Sequence, residues 1–520
     1  MVLKKKKVSA RRAHVRKAMS PERFAGLTAF GNSTLPIALL VLIGFVVAAG
    51  LLLSMQTAGG KLFDPEVAIF KTWSQVGAMT GLVGIICIAT GLYVAHYQPR
   101  IVRRPTRIVA LAGLFLLLLL ITKLISLDKE LTYLATGTAV MCAVVLTIAY
   151  DQRFAVGLTM FYAAMASLVF YTIPNAATIE LMLIMMTGAL TCCYSLKEIR
   201  TRMKLIEVTA IATVFVVVVT VCLGILRQGE FTMQLLAASG WAGGITFVVG
   251  VVLQGFLPMI EKIFGIATSM TLLDYSDANQ PLLKKLAMDA PATFTHSLLI
   301  GSIAEGAAEA IGANGLLCRV GAYYHDIGKL NKPGYFAENQ MGSISRHEQL
   351  SPAMSQLVIV GHVKDGIEIA KEFGLPPVLR QFIETHHGTT LIEYFYHEAR
   401  KKQADGDTPV SEVEFRYPGP KPRSKEAAIV MLADTVESAV RSMTELTPMR
   451  IEVIVHNMAM KRLQDGQFDE CDLTLRELSN IEASISKSLA AHYHGRVAYP
   501  KSPTEPVEDG SRLPVVVGRK

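Results

Sequence analysis

Five histidines and two aspartates in the C-terminal half of the chain have the types and spacing to hold metal: His296, the adjacent pair His325-Asp326, His362, the adjacent pair His386-His387, and Asp434. Imidazoles and carboxylates suit divalent transition ions, and this donor set on separate helices is what two neighbouring ions need if one carboxylate bridges them. Paired ions of that kind act as Lewis acids and activate water. A lone buried histidine is more often a packing residue than a ligand, so only the combination points to metal. His325-Asp326 followed by Ile327-Gly328-Lys329 predicts both donors on the last turn of a helix that Gly328 ends. His386-His387-Gly388 repeats the arrangement. Asp434 follows the apolar run Ile429-Val430-Met431-Leu432-Ala433, where a carboxylate is costly unless it binds a cation or is otherwise paired. The remaining histidines (His14, His96, His347, His397, His456, His492, His494) lack this ordering and read as surface, interfacial or packing residues, with His347 the one to watch.

Candidate substrate contacts cluster after the first His-Asp pair. Lys329 reads either as a cation that neutralises a phosphate or as an ordinary helix C-terminal charge, and Lys364 is a similar case. Tyr335, Phe336, Glu338 and Asn339 offer an aromatic face with amide and carboxylate edges that would suit a purine; loop packing is the rival reading. The expected substrate-binding set is Lys329, Tyr335, Asn339 and Lys364.

These donors need helices to position them. Between Ala292 and Ser438 the apolar periodicity is helical throughout, broken by Gly and Pro clusters, and no run alternates as strands would. The first half is different in kind. From about Leu35 to Leu257 it is a series of apolar runs, and eight have the ~20 residues needed to cross a hydrocarbon core: approximately 34–55, 74–97, 107–127, 131–150, 154–173, 176–196, 205–227 and 234–257. Hydrophobic residues make up 51% of the 520, too many for one soluble domain. The spans hold almost no ionisable groups away from their ends, which favours an anchoring or sensing module over a transporter. Gly240, Gly243, Gly244 and Gly250 in the last span read as close helix packing.

The formal net charge of +8 raises nucleic acid as a partner. The run Lys4 to Lys7 with Arg11, Arg12, Arg16 and Lys17 precedes the first span, however, so lipid head groups and topology explain the charge better and no DNA or RNA partner is expected. Arg100 with Arg103, Arg104 and Arg107, the lone Arg153, and Lys197 with Arg200, Arg202 and Lys204 fall on alternate loops. The positive-inside rule then places both termini in the cytoplasm and the chain in the cell (inner or plasma) membrane as a multi-pass protein. With no small-residue cleavage pattern after it, the first span reads as a retained anchor. The seven cysteines include no CxxC pair and read as unpaired packing residues.

The donor series, together with the phrases Lys332-Pro333-Gly334-Tyr335-Phe336-Ala337-Glu338-Asn339-Gln340, His362-Val363-Lys364-Asp365-Gly366, His386-His387-Gly388-Thr389-Thr390-Leu391 and Phe415-Arg416-Tyr417-Pro418-Gly419-Pro420-Lys421-Pro422, resembles the HD superfamily of phosphohydrolases and, more narrowly, its membrane-bound PgpH-type family. The resemblance implies a polytopic transmembrane helical bundle followed by an all-helical cytoplasmic HD domain, so the expected fold class is all-α. It implies hydrolysis of cyclic di-AMP to linear pApA by a hydroxide shared between two metal ions, iron or manganese. His296, His325, Asp326 and Asp434 would hold one ion, Asp326 would bridge to a second held by His362, His386 and His387, and His325, Asp326 and Lys329 would be catalytic. Phe415 to Pro422 would be a substrate-side or structural loop.

The chain departs from that family in two places. Only about Gln56 to Trp73 lies between the first two spans, too short for the large extracytoplasmic domain the family carries there, and Thr295 precedes His296 where another histidine is usual. A rival reading as a cyclic di-GMP enzyme expects Gly-Tyr-Pro soon after the double histidine, and Leu391-Ile392-Glu393-Tyr394-Phe395-Tyr396 stands there instead. Hydrolysis of another phosphoester is a further alternative, and so is a catalytically silent nucleotide receptor, which loss of a ligand would mark. The expected organisation is a basic N-terminus at 1–33, the membrane module at 34–257, an amphipathic linker at 258–290 lying on the membrane surface, the HD domain at 291–495 and a disordered tail at 496–520. A homodimer is left open.

Overall fold

The computed structural model describes residues 34–57, 68–70, 72–102, 105–128, 131–171, 178–196, 199, 201, 203–340, 345–403, 409–443 and 446–494. The basic N-terminus, Arg103, Arg104, Lys197, Arg200, Arg202 and the C-terminal tail lie outside the described residues. Helices dominate. The apolar half forms α1 (Thr34–Ser54), α2 (Trp73–Tyr97), α3 (Pro105–Ile125), α4 (Ala135–Ala149), α5 (Gln152–Tyr171), α6 (Thr178–Ser195), α7 (Met203–Gln228) and α8 (Met233–Phe264). All eight are long and apolar enough to cross a membrane, α4 when counted with the turn that leads into it. In a hydrocarbon core an uninterrupted helix satisfies its own backbone groups, which is why apolar runs of this length settle as helices. Among the described residues of this half, the strands are a short antiparallel ribbon between α1 and α2, β1 (Met55–Thr57) with β2 (Ala68–Phe70), which pairs Met55 with Phe70.

Helices α4 and α5 lie at the centre of the bundle, with 61% of their span windows buried against 22–28% for α1 to α3. Small residues let α7 and α8 approach closely. A Cβ on Gly250 would stand 2.0 Å from Thr209 Oγ1, and one on Gly243 2.6 Å from Val217. Gly240 and Gly244, read from sequence as part of the same packing face, meet nothing within 4 Å.

The junction between the halves differs from the sequence expectation of a linker lying on the bilayer from residue 258. Helix α8 runs through Pro258 and ends at Gly265, which takes the left-handed conformation at φ 65°. Glu261 near its end accepts hydrogen bonds from the Thr268 amide at 2.7 Å and the Thr271 hydroxyl at 2.8 Å, at the start of α9 (Ser269–Ser276). The Met270 amide donates to the Ile199 carbonyl, 3.0 Å away between α6 and α7. Helix α10 (Pro281–Asp289) follows. The apolar faces of both short helices, Leu272 with Leu282, Leu283 and Leu286, are buried against Val320, Tyr324, Leu379 and Ile383. Burying four leucines inside a protein core is worth more than resting them at a lipid head-group boundary, so the linker becomes part of the soluble domain.

That domain comprises α11 (Pro291–Glu309), α12 (Gly315–Tyr324), α13 (Pro352–Glu372), α14 (Pro377–Thr385), α15 (Glu393–Lys401), α16 (Lys425–Arg441), α17 (Pro448–Gln464) and α18 (Leu475–His494). Ser and Thr side chains cap several of these: Ser351 accepts from the Met354 amide, Ser424 from Ala427 and Thr447 from Arg450. Helix α16 is the central element, buried from Ala427 to Asp434 against α11, α17 and α18. Short 3-10 turns recur among the described residues between α12 and α13.

Candidate metal centre

Three helices and the ends of two others bring the seven predicted donors together. His296 projects from α11 and Asp434 from α16, while His362 comes from the middle of α13. His325 caps the C-terminus of α12 and Asp326 begins the next 3-10 turn, one residue beyond the helical turn expected from sequence. His386 caps α14 in the same way, with His387 after it. All lie near or below a tenth exposed except His387, which faces a cleft.

Asp326 stands between two groups of donors. Its Oδ2 is 3.2 Å from His325 Nε2 and 4.0 Å from His296 Nε2, while its Oδ1 is 3.5 Å from both His362 Nε2 and His386 Nε2. Asp434 Oδ1 joins the first group at 3.0 Å from His296 Nε2 and 3.8 Å from His325 Nε2. Donor atoms of His296, His325 and Asp326 lie within 4.8 Å of one another, as do those of Asp326, His362, His386 and His387. The carboxylate thus offers one oxygen to each group, the arrangement a bridging ligand requires.

The residues fit a pair of cations on their own hydrogen-bonding chemistry. His325 Nδ1 lies 2.6 Å from the Ala322 carbonyl, His362 Nδ1 2.5 Å from that of Ile359, and His386 Nδ1 3.0 Å from that of Ile383. A carbonyl only accepts, so each ring carries its proton on Nδ1 and turns Nε2 inward. His362 Nε2 and His386 Nε2 then face each other at 3.1 Å with no proton between them when both rings are neutral, and a cation resolves that clash of lone pairs. His325 Nε2 and Asp326 Oδ1 are buried without a hydrogen bond. Unsatisfied groups of this kind cost stability unless a ligand takes them.

The electrostatics split the same way. Burial opposes charge on His325, yet Asp326 and Asp434 hold its pKa up at about 10. Burial likewise opposes charge on His296, and Asp434 and Glu437 outweigh it, raising the pKa. Burial pushes His362 down to about 3 and His387 well below its usual range. Asp326 and Asp434 stay ionised despite burial because the cationic groups around them favour the charged form.

Lys329 is a buried member of this network, not a solvated helix-end charge. Its ammonium lies 2.7 Å from Asp326 Oδ2 and 2.6 Å from Glu338 Oε1, and 5.1 Å from the Phe336 ring centre. Burial would depress its pKa, but the two carboxylates hold it above the usual lysine value. Asn339 donates to Thr293 Oγ1 at 2.8 Å, tying the loop to α11. Lys364 projects from α13 with its side chain 81% exposed, near Glu368 and away from the cleft that the metal donors face. Thr295 is exposed and bonds the Pro291 carbonyl, so it takes no part in the cluster.

A cleft of about 560 Å³ opens beside the centre, with His362, His387 and Lys329 at one end and Tyr335, His347, Tyr394 and Phe395 along its walls. Tyr417 stacks on His387 at 4.3 Å between centroids, and its phenol is held protonated by burial. Phe415 and Tyr417 are buried, and Tyr417 also lines the cleft. Arg416 donates to the Thr389 carbonyl at 2.9 Å and Gln467 to Thr389 Oγ1 at 2.9 Å, which fixes the turn after the double histidine. His347 places Nε2 2.7 Å from the Tyr335 carbonyl and its ring against Phe395. One supporting residue escaped the sequence reading: Glu437, buried one turn beyond Asp434, with Oε2 2.8 Å from His296 Nδ1.

Known proteins resemble the chain in both halves. A family model described as a 7TM receptor with intracellular HD hydrolase matches residues 73–268, which hold the last seven of the eight apolar helices, and an HD domain model matches residues 293–439. These findings make the chain a multi-pass membrane protein. It is 36% identical over 441 residues to the cyclic-di-AMP phosphodiesterase PgpH of Bacillus subtilis (strain 168), covering 84% of this chain and 61% of that protein. To the PgpH of Listeria monocytogenes serotype 1/2a (strain 10403S) it is 38% identical over 367 residues, 70% of this chain and 50% of that one. It therefore spans between half and just over three fifths of the curated relatives it matches. The crystal structure of the L. monocytogenes PgpH HD domain in complex with cyclic-di-AMP aligns at 46% identity and TM-score 0.40, over 42% of this chain and 100% of that one.

Proposed function

The chain belongs to the PgpH-type family of membrane-bound HD phosphohydrolases, and from that premise we propose that it is a phosphodiesterase that hydrolyses cyclic di-AMP to linear pApA. The single observation that carries the reading is Asp326, whose two carboxylate oxygens face two separate sets of histidines. His296, His325, Asp326 and Asp434 would hold one divalent ion and Asp326, His362, His386 and His387 the other, iron or manganese in each case. Such ions supply Lewis acidity toward phosphoryl oxygens and lower the pKa of water.

The chain's own residues do the rest. Asp326 and Asp434 hold a fixed negative field that fastens cations in a buried site. Lys329, anchored on one side by Glu338, presents a permanent positive charge at the mouth of the cleft, where a phosphodiester would sit beside His362 and His387. Tyr335, Tyr394 and Phe395 give the cleft aromatic walls against which a purine can stack. The loop charges support a cytoplasmic side for both termini.

The experiment is hydrolysis of cyclic di-AMP and cyclic di-GMP, side by side, by the full chain purified in detergent and loaded with Mn²⁺ or Fe²⁺. Conversion of cyclic di-AMP to pApA, abolished in Asp326→Ala, is expected. Preferred cleavage of cyclic di-GMP would overturn the substrate, and binding of cyclic di-AMP without cleavage by fully loaded protein would favour a silent receptor.

A further inference from the structure

The imidazole supports are not alike. His325, His362 and His386 each rest Nδ1 on a backbone carbonyl, a neutral acceptor. His296 differs, since its Nδ1 faces the carboxylate of Glu437 at 2.8 Å. Glu437 is 2% exposed, a costly place for a carboxylate without a specific partner. Its other cationic neighbour, Arg441, is 3.7 Å away on a side chain 41% exposed, too distant and too solvated to account for the burial. Neither His296 Nδ1 nor Glu437 Oε2 meets another hydrogen-bond partner, which leaves each facing the other at 2.8 Å.

Helix periodicity makes this juxtaposition specific. Glu437 follows Asp434 at the i+3 position of α16, so one helix face supplies both a ligand and the support of another ligand. We infer that Glu437 is a positioning residue for the first metal position, holding His296 through Nδ1 so that Nε2 faces Asp434 and Asp326. A carboxylate behind an imidazole fixes the ring, sets its tautomer and raises its strength as a donor, and loss of such a partner weakens metal affinity by roughly 10–100-fold. The second position has no anionic support of this kind among its described contacts, so the effect of removing Glu437 is confined to one of the two ions.

This inference rests on reading the cluster as a two-ion centre, and the test separates the two. The full chain in detergent is stripped with chelator, equilibrated across a Mn²⁺ series, and assayed for bound manganese and for the electron-spin signal that distinguishes an isolated ion from a coupled pair. The parent is expected to bind two ions per chain. Glu437→Ala should lose roughly 10–100-fold in affinity for one ion and keep the other, giving an isolated-ion spectrum at intermediate manganese. Glu437→Gln, whose amide oxygen still accepts from Nδ1–H without the charge, should fall between. Because Glu437 acts through His296, the His296→Ala/Glu437→Ala double variant should be no weaker than His296→Ala alone. Parental affinity for both ions in folded Glu437→Ala, or additive losses in the double variant, would overturn the role of Glu437. A parent that binds fewer than two ions would instead remove the two-ion reading on which it stands.

Discussion

Gly328, two residues after Asp326, is where the centre is most sensitive to a single added carbon. A Cβ there would lie 1.8 Å from the His362 carbonyl oxygen and 2.6 Å from the Gly366 amide nitrogen. Both are backbone atoms of α13, so no rotamer change relieves the clash. Since real Cβ contacts essentially never fall below 3.0 Å, Gly328→Ala must drive the Asp326 turn and α13 apart by about 1.2 Å. Ligand distances at metal sites tolerate only about 0.2 Å. Asp326 Oδ1 and His362 Nε2, now 3.5 Å apart across the second position, would no longer reach a common ion. The strain itself costs ~1–3 kcal/mol, as overpacking of a core generally does. Gly366→Ala provides the control: its Cβ would meet the Ile383 methyl at 2.8 Å, a flexible side-chain end, and Gly328 backbone no closer than 3.2 Å. Metal per chain by mass spectrometry, thermal unfolding and hydrolysis should all rank parent above Gly366→Ala above Gly328→Ala, with Gly328→Ala folded but holding about one ion. A Gly328→Ala protein that keeps both ions and parental activity would refute the claim that this contact sets the spacing of the two ligand groups.

Other outcomes follow from the same structure. Metal-free protein should lose stability as pH rises: with its folded pKa at about 10, His325 contributes stability that is complete below its unfolded value of ~6.5 and lost as pH passes through the folded one, so melting of chelator-treated protein should fall from pH 7 to 10. Metal binding at the first position should release a proton over that range and tighten about tenfold per pH unit, whereas His362 and His387, both lowered, have none to give up; a pH series of manganese titrations with proton counting reads this directly. Tyr324→Phe removes the 2.8 Å hydrogen bond to the Tyr275 carbonyl and should destabilise the protein by ~1–2 kcal/mol in denaturant titrations, since that acceptor is left without its donor. Lys364→Ala should change kcat/KM by no more than ~0.5 kcal/mol, about twofold, because its ammonium is solvated and away from the cleft; a tenfold loss would return it to the substrate site.

The donors were legible because buried imidazoles and carboxylates are expensive, and few packing needs explain seven of them on helical faces. Glu437 was not, because a glutamate followed four residues later by Arg441 reads as a solvated helix pair. Its signal lay in register: Val430, Asp434 and Glu437 share one stripe of α16, all buried. The spans were legible to within a few residues from apolar run length. The end of α8 was not, since Pro258 suggested a break, whereas a membrane helix tolerates one missing amide. Lys329 read equally as a helix-end charge, because its partner Glu338 arrives through a run of 3-10 turns whose course no periodicity announces.

The length of α8 carries a consequence for where the soluble domain is held. Its 32 residues rise about 48 Å, more than the ~40–45 Å of a bilayer with its head groups. Helix α9 then adds a layer ~10 Å across between the Ile199 loop and α12. That layer separates the apolar bundle from the ends of α12 and α14 that carry His325, Asp326 and His386. The cleft thus opens within the soluble domain, where Lys329, Glu338 and the residues around them, not the apolar bundle, form its lining.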